Sequence, residues 1–164
     1  MQKNVSEFRE LIYSSEKKFL NISEEQSGIP PQPGKWSSKQ ILGHLVDSSI
    51  NNITRFINGQ FQEEFIFPGY NQDDWVKKQR YDEADWTFII NLWKNNNLQI
   101  ARVVELIPEE AFRRLHKKHN FNLISFKELS EDKPASLEYL FVDYVDHMKH
   151  HINKIIEINS LERN

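Results

Sequence analysis

The sequence predicts an all-α protein, specifically a four-helix bundle, and three observations carry that prediction. Apolar residues recur at helical spacing over four long segments. Only 5 glycines and 6 prolines occur in 164 residues, and the prolines fall between those segments. Hairpin dipeptides are nearly absent; Asn58-Gly59 is the exception, and it closes a helical pattern instead of joining two alternating runs. The length suffices for one domain with a sizeable core, so residues 1–164 are read as a single bundle.

The first helix is expected over about 6–20, where Phe8, Leu11, Ile12, Phe19 and Leu20 keep helical spacing. Ser27-Gly28-Ile29-Pro30-Pro31-Gln32-Pro33-Gly34 interrupts it. The second opens with strong start chemistry: Ser37 as N-cap, Gln40 to complete a capping box, and Trp36 with Ile41 as a hydrophobic staple. Ile41, Leu42, Leu45, Val46, Ile50, Ile53, Phe56 and Ile57 form its apolar face, and Gly59 is placed as a C′ stop. A long aromatic loop, Phe61 through Trp75, then connects helices 2 and 3. The third helix begins after Asp82 and carries Trp86, Ile89, Ile90, Trp93, Ile100, Val103, Val104 and Ile107 up to Pro108. Residues 109–134 read as irregular, with a short helix at their start. The fourth helix runs from Ser136 to about Leu161 on a stripe of Leu137, Leu140, Phe141, Tyr144, Met148, Ile152, Ile155 and Ile156.

Composition removes several function classes. With 21 basic and 24 acidic residues the formal charge is −3, which offers no electrostatic case for nucleic-acid binding. The one basic run, Arg113-Arg114-Leu115-His116-Lys117-Lys118-His119, reads as a solvated segment whose histidines lie at the surface. The absence of cysteine excludes disulfides, thiolate ligands and cysteine nucleophiles. A polar first segment and the lack of any long apolar run predict a soluble, cytoplasmic protein without membrane contact.

The chemistry-bearing residues are histidines. His147 and His151, in Asp146-His147-Met148-Lys149-His150-His151, are four residues apart, so both imidazoles leave one face of the last helix. They flank the buried stripe at Met148 and Ile152, where unpartnered imidazole nitrogens are costly. His44, early in the second helix, is the natural third member of a divalent-metal site at His44, His147 and His151. His150 points somewhat away from His151. Asp47 and Ser48 share a polar stripe with His44, and Asp143 stands one turn before His147. Such carboxylates commonly orient ligand imidazoles, although either aspartate could equally be a solvated side chain.

Two segments resemble the DinB/YfiT-like superfamily: Trp36-Ser37-Ser38-Lys39-Gln40-Ile41-Leu42-Gly43-His44-Leu45-Val46-Asp47-Ser48, and Leu137-Glu138-Tyr139-Leu140 leading into Tyr144-Val145-Asp146-His147-Met148-Lys149-His150-His151-Ile152. The resemblance spans nearly the whole chain. It implies a bundle in which His44, His147 and His151 bind a divalent metal, commonly nickel or zinc, and it implies a homodimer. It further implies an activity such as that of thiol-dependent transferases and isomerases using bacillithiol or mycothiol.

Three neutral imidazoles leave a metal its full charge and an open position, at which water or a small thiol can be activated. Imidazole suits nickel, copper, iron and zinc, so ligand type alone does not name the ion. The expected function is therefore a metal-dependent S-transferase or hydrolase acting on a small molecule, with Asp47 as candidate base or orienting group. Tyr70, Trp75 and Arg55 are candidate pocket walls. Arg55 lies about 16 Å along helix 2 from His44, so it can touch only a remote part of a substrate. The rival reading is a non-catalytic bundle with a structural or vestigial metal and an interaction surface.

Overall fold

A computed structural model describes residues 2–161, with side chains for 4–160. Four long helices dominate: α1 (Gln2–Phe19), α3 (Ser38–Asn58), α5 (Trp86–Leu106) and α8 (Leu137–Leu161). Four short ones fill the connections: α2 (Glu24–Gly28), α4 (Gln72–Gln79), α6 (Glu109–Arg113) and α7 (Phe121–Ile124). Around the bundle the long helices neighbour one another in the order α1, α5, α3, α8 and back to α1. The helix carrying His44 therefore lies directly against the one carrying His147 and His151.

The core is rich in aromatic side chains. Phe8 and Phe19 of α1, Phe56 of α3, Trp93 of α5 and Phe141 of α8 are almost completely buried. Their rings meet edge to face: Phe8 on Phe141 at 5.4 Å and Phe19 on Trp93 at 5.3 Å between centroids. That arrangement sets each ring's positive edge on a neighbour's negative face.

Helix α3 begins as its sequence predicts, with Ser37 and Gln40 exchanging both bonds of a capping box. Every residue from Ile41 to Ser49 is buried, because α2, α4, α5 and α8 all pack around this stretch. Its polar members cannot escape to solvent. Farther along, Ile50 and Ile57 are 44% and 40% exposed, against their expected place in the apolar face. Gly59 ends the helix, but in a right-handed conformation (φ −61°, ψ −15°), so the left-handed stop is not its role. A Cβ there would stand 2.7 Å from Leu137 Cδ2 and 3.0 Å from the Arg55 carbonyl, so a larger residue would make the Leu137 side chain shift.

Two expectations for the connections need correction. The aromatic loop is shorter than expected, because α4 takes Trp75 into a helix capped by Asn71. His116 and His119 are not at the surface: they are only 5% and 7% exposed. His116 stacks on Phe65 at 3.7 Å, its Nδ1 lies 2.8 Å from the Glu63 carbonyl, and its Nε2 accepts from Arg114. His119 Nδ1 accepts from the Phe121 amide, which leaves Nε2–H to donate to the Lys133 carbonyl at 2.6 Å. An imidazole with both nitrogens satisfied can be buried cheaply, and helical periodicity carries no trace of such partners.

Candidate metal centre

The seam between α3 and α8 brings His44, His147 and His151 together, with one potential ligand nitrogen from each lying within 4.8 Å of the others. His44 Nε2 and His147 Nε2 are 3.1 Å apart. Two imidazole nitrogens on one ion, with bonds of about 2.0–2.1 Å, stand roughly 2.8–3.4 Å apart across tetrahedral to octahedral angles, so this pair already has a chelating separation. The rings are mutually edge-on: 88° for His44 and His147, 79° for His147 and His151.

Electrostatics keeps the imidazoles neutral. Burial pushes His44 down to about 4, with Lys154 adding to it and Asp73 opposing. Burial, then the neighbouring His44 and His150, pushes His147 down to about 3. Burial followed by His147 and His44 pushes His151 down to about 2. At neutral pH each ring therefore offers a lone pair, which is the state a metal ligand needs. His44 Nδ1 and His151 Nδ1 are buried with no hydrogen-bond partner. A donor set of three neutral rings, pre-gathered with two Nε2 atoms at a chelating separation, fits a divalent transition metal.

The aspartates do other work. Asp47 is fully buried; its Oδ1 accepts from Tyr81 Oη at 2.7 Å and from Gln79 Nε2, while Oδ2 has no partner. Burial raises its pKa to about 6, against the opposing pull of those two bonds. Asp143 accepts the backbone N–H groups of Phe126 (2.9 Å) and Lys127 (2.7 Å), fastening that loop to α8. Neither carboxylate hydrogen-bonds to any of the three histidines. His150 is exposed, with its ring against Phe126 and His151.

Two cavities reach the cluster. One, of about 340 Å³, is lined by His44 and His147 and extends along α3 past Ser48, Asn52 and Arg55 to Tyr70. The other, of about 580 Å³, is lined by His151, Trp36 and Lys154. Of the expected pocket walls, Arg55 and Tyr70 line the first cavity; Trp75 does not, and packs on Tyr70 at 4.9 Å. Sequence reasoning missed Asn52, Trp36 against His44 (5.4 Å) and Phe126 against His147 (5.3 Å). Asn52 could have been found: His44, Ser48, Asn52 and Arg55 fall at i, i+4, i+8 and i+11, a polar line down one face of a buried helix. Phe126 left no signal, since a loop positions it.

Fold and site together define a helical-bundle protein with a candidate three-histidine metal centre at the α3–α8 seam. Residues 8–155 match the DinB superfamily, and the chain belongs to that superfamily. Over 138 residues, 84% of this chain and 72% of the other, it is 24% identical to the Bacillus subtilis (strain 168) protein named "Putative metal-dependent hydrolase YfiT". A Geobacillus thermodenitrificans (strain NG80-2) protein given the same hydrolase description is 23% identical over 154 residues, covering 94% of this chain and 81% of that one. The solved structure of Bacillus subtilis YfiT, described as an unusual four-helix bundle topology, superposes with a TM-score of 0.78 at 20% identity, covering 98% of this chain and 86% of that one. Among the described residues no helix is long and apolar enough to cross a membrane.

Proposed function

We propose that this protein is a metal-dependent enzyme acting on a small molecule, with His44, His147 and His151 holding one divalent ion, nickel or zinc. The observation that carries the reading is the neutral three-imidazole cluster, with His44 buried and His147 and His151 half-buried, opening on a cavity. Bound there, the ion supplies Lewis acidity and lowers the pKa of a water or thiol. The residues around it do the rest. Trp36 and Phe126 pack on the rings of His44 and His147 and limit water on two sides. Ser48, Asn52 and Tyr70 offer polar groups along the first cavity to orient a substrate. Asp47 acts at one remove: through Tyr81 and Gln79 it ties the segment after α4 to the His44 turn of α3.

The names of the relatives favour hydrolysis. One feature favours the second reading, transfer to or from a low-molecular-weight thiol: separate cavities meet the cluster from His44 and His147 on one side and from His151 on the other. Hydrolysis needs room for one organic substrate, whereas S-transfer needs room for two.

Elemental mass spectrometry on untagged protein tests the centre. Near one nickel or zinc per chain in wild type, lost in the His147→Ala/His151→Ala double variant, is the expected result. No bound ion after reconstitution with either metal refutes the metalloenzyme and leaves a non-catalytic bundle. On loaded protein, ester hydrolysis without thiol against thiol-dependent conjugation of an electrophile separates the two reactions.

A further inference from the structure

The cavity beside the histidines holds a charged group that the metal chemistry does not use. Arg55 is 6% exposed, yet its one hydrogen bond is from Nη2 to the Pro68 carbonyl at 3.2 Å. No ion pair joins it to any carboxylate among the described residues. Lys39, another buried cation of α3, behaves as expected and pairs with Glu24. Asp143 acts on Arg55 only across the cavity; burying a guanidinium without a carboxylate in contact is expensive, and a chain under selection for stability alone has apolar alternatives.

Position gives the cation a purpose. Arg55 ends the line His44, Ser48, Asn52, Arg55 and lines the same cavity as His44 and His147. Side chains of a helix lean toward its N-terminus, which for Arg55 is the end of α3 that carries His44. The carboxylate across the cavity, Asp143, has both oxygens occupied by the Phe126 and Lys127 amides.

We propose that Arg55 binds the carboxylate of a small-molecule substrate whose reacting end lies at the three histidines. This rests on the reading of the histidine cluster given above and adds the substrate's class. A planar guanidinium with free N–H groups matches a carboxylate two bonds at a time. No second lysine or arginine lines the cavity, and Asp143 does, so the charge suits a monoanion better than a phosphate dianion. Leu123, Ile124 and Leu140 supply apolar wall for a short hydrocarbon body. At about 340 Å³ the space is near the lower end for small-molecule sites, roughly 300–1,000 Å³.

The test is an NMR titration of metal-free protein with hexanoate, hexan-1-ol, hexylammonium and inorganic phosphate. Hexanoate should give saturable shifts at the Arg55 Nε–H and the Asn52 amide, with hexan-1-ol and hexylammonium weaker by about tenfold or more. Arg55→Gln should abolish the preference for hexanoate, and Arg55→Lys should retain only part of it. Equal binding of hexan-1-ol, unchanged hexanoate binding by Arg55→Gln, or a preference for phosphate overturns the proposal. Should Arg55→Gln fail to fold, charge discrimination by wild type decides alone. With no metal present the outcome is independent of the histidine reading, which metal content of the same batch reports separately.

Discussion

Gly43, one residue before His44, sets two effects of similar size against each other when it is replaced by alanine. Alanine is the better helix former by about 1 kcal/mol, and Gly43 is inside a long helix. A Cβ at this position, however, would stand 2.2 Å from Tyr81 Cγ and Cδ2 and 2.7 Å from Cδ1. Carbon atoms rest about 3.5–4 Å apart, so the ring must retreat by roughly 1.5 Å. Tyr81 is only 4% exposed and its hydroxyl donates to Asp47 at 2.7 Å, so retreat breaks that bond. Losing a hydrogen bond to a buried carboxylate costs about 1.5–3 kcal/mol, and overpacking adds about 1–3. After subtracting the propensity gain, Gly43→Ala should destabilise the protein by roughly 1.5–5 kcal/mol. Urea denaturation measures it. In a Tyr81→Ala background the same substitution should become neutral or stabilising by up to about 1 kcal/mol. A neutral Gly43→Ala, or an equal cost in both backgrounds, would refute the packing argument.

Acid should weaken the metal-free protein through His44, His147 and His151. Their native pKa values are lowered, to about 4, 3 and 2, so the unfolded chain takes up the protons first as pH falls below about 6.5. Stability is therefore lost on acidification, by at most about 1.4 kcal/mol per pH unit for each titrating ring. Asp47 acts in the opposite sense, since its raised pKa gives stability that is present below about 4 and lost as pH rises through about 6. Urea midpoints across this range should fall more steeply with acid in wild type than in a His44→Gln/His147→Gln/His151→Gln variant; parallel curves would contradict burial as the cause. Asp143→Ala should free the loop at Phe126 and Lys127 with metal content unchanged. Faster amide hydrogen exchange at those two residues is the expected result, and unchanged protection would show that the loop is held by something else.

The four long helices were legible because each carries an apolar stripe that only burial against other helices can satisfy. The capping box at Ser37 and Gln40 was legible for a different reason: its partners are three residues apart, so sequence contains the whole interaction. Where partners lie far along the chain, local reading failed. His116 needs Glu63, and His119 needs Lys133, and neither spacing has a signature. Gly59 was placed correctly as a terminus for the wrong reason, since its backbone is right-handed and what a side chain there would meet is Leu137 of α8.

The site was legible through a contradiction in the helices themselves. A helix packed on all sides is most stable when apolar throughout, yet α3 buries His44, Asp47, Ser48, Asn52 and Arg55. Helix α8 answers with Asp143, Tyr144, His147 and His151 on the facing side of the seam. Tyr144 and Asp143 are satisfied within the fold, by Asn97 and by the Phe126 loop. Several groups at the seam stay unsatisfied: Nδ1 of His44, Nδ1 of His151, and an arginine with no carboxylate in hydrogen-bonding contact. Folding alone does not explain groups that the fold leaves wanting. On the proposed reading a metal would take the ring nitrogens that His44 and His147 turn toward each other and an anion would pair with the arginine, both along one cavity.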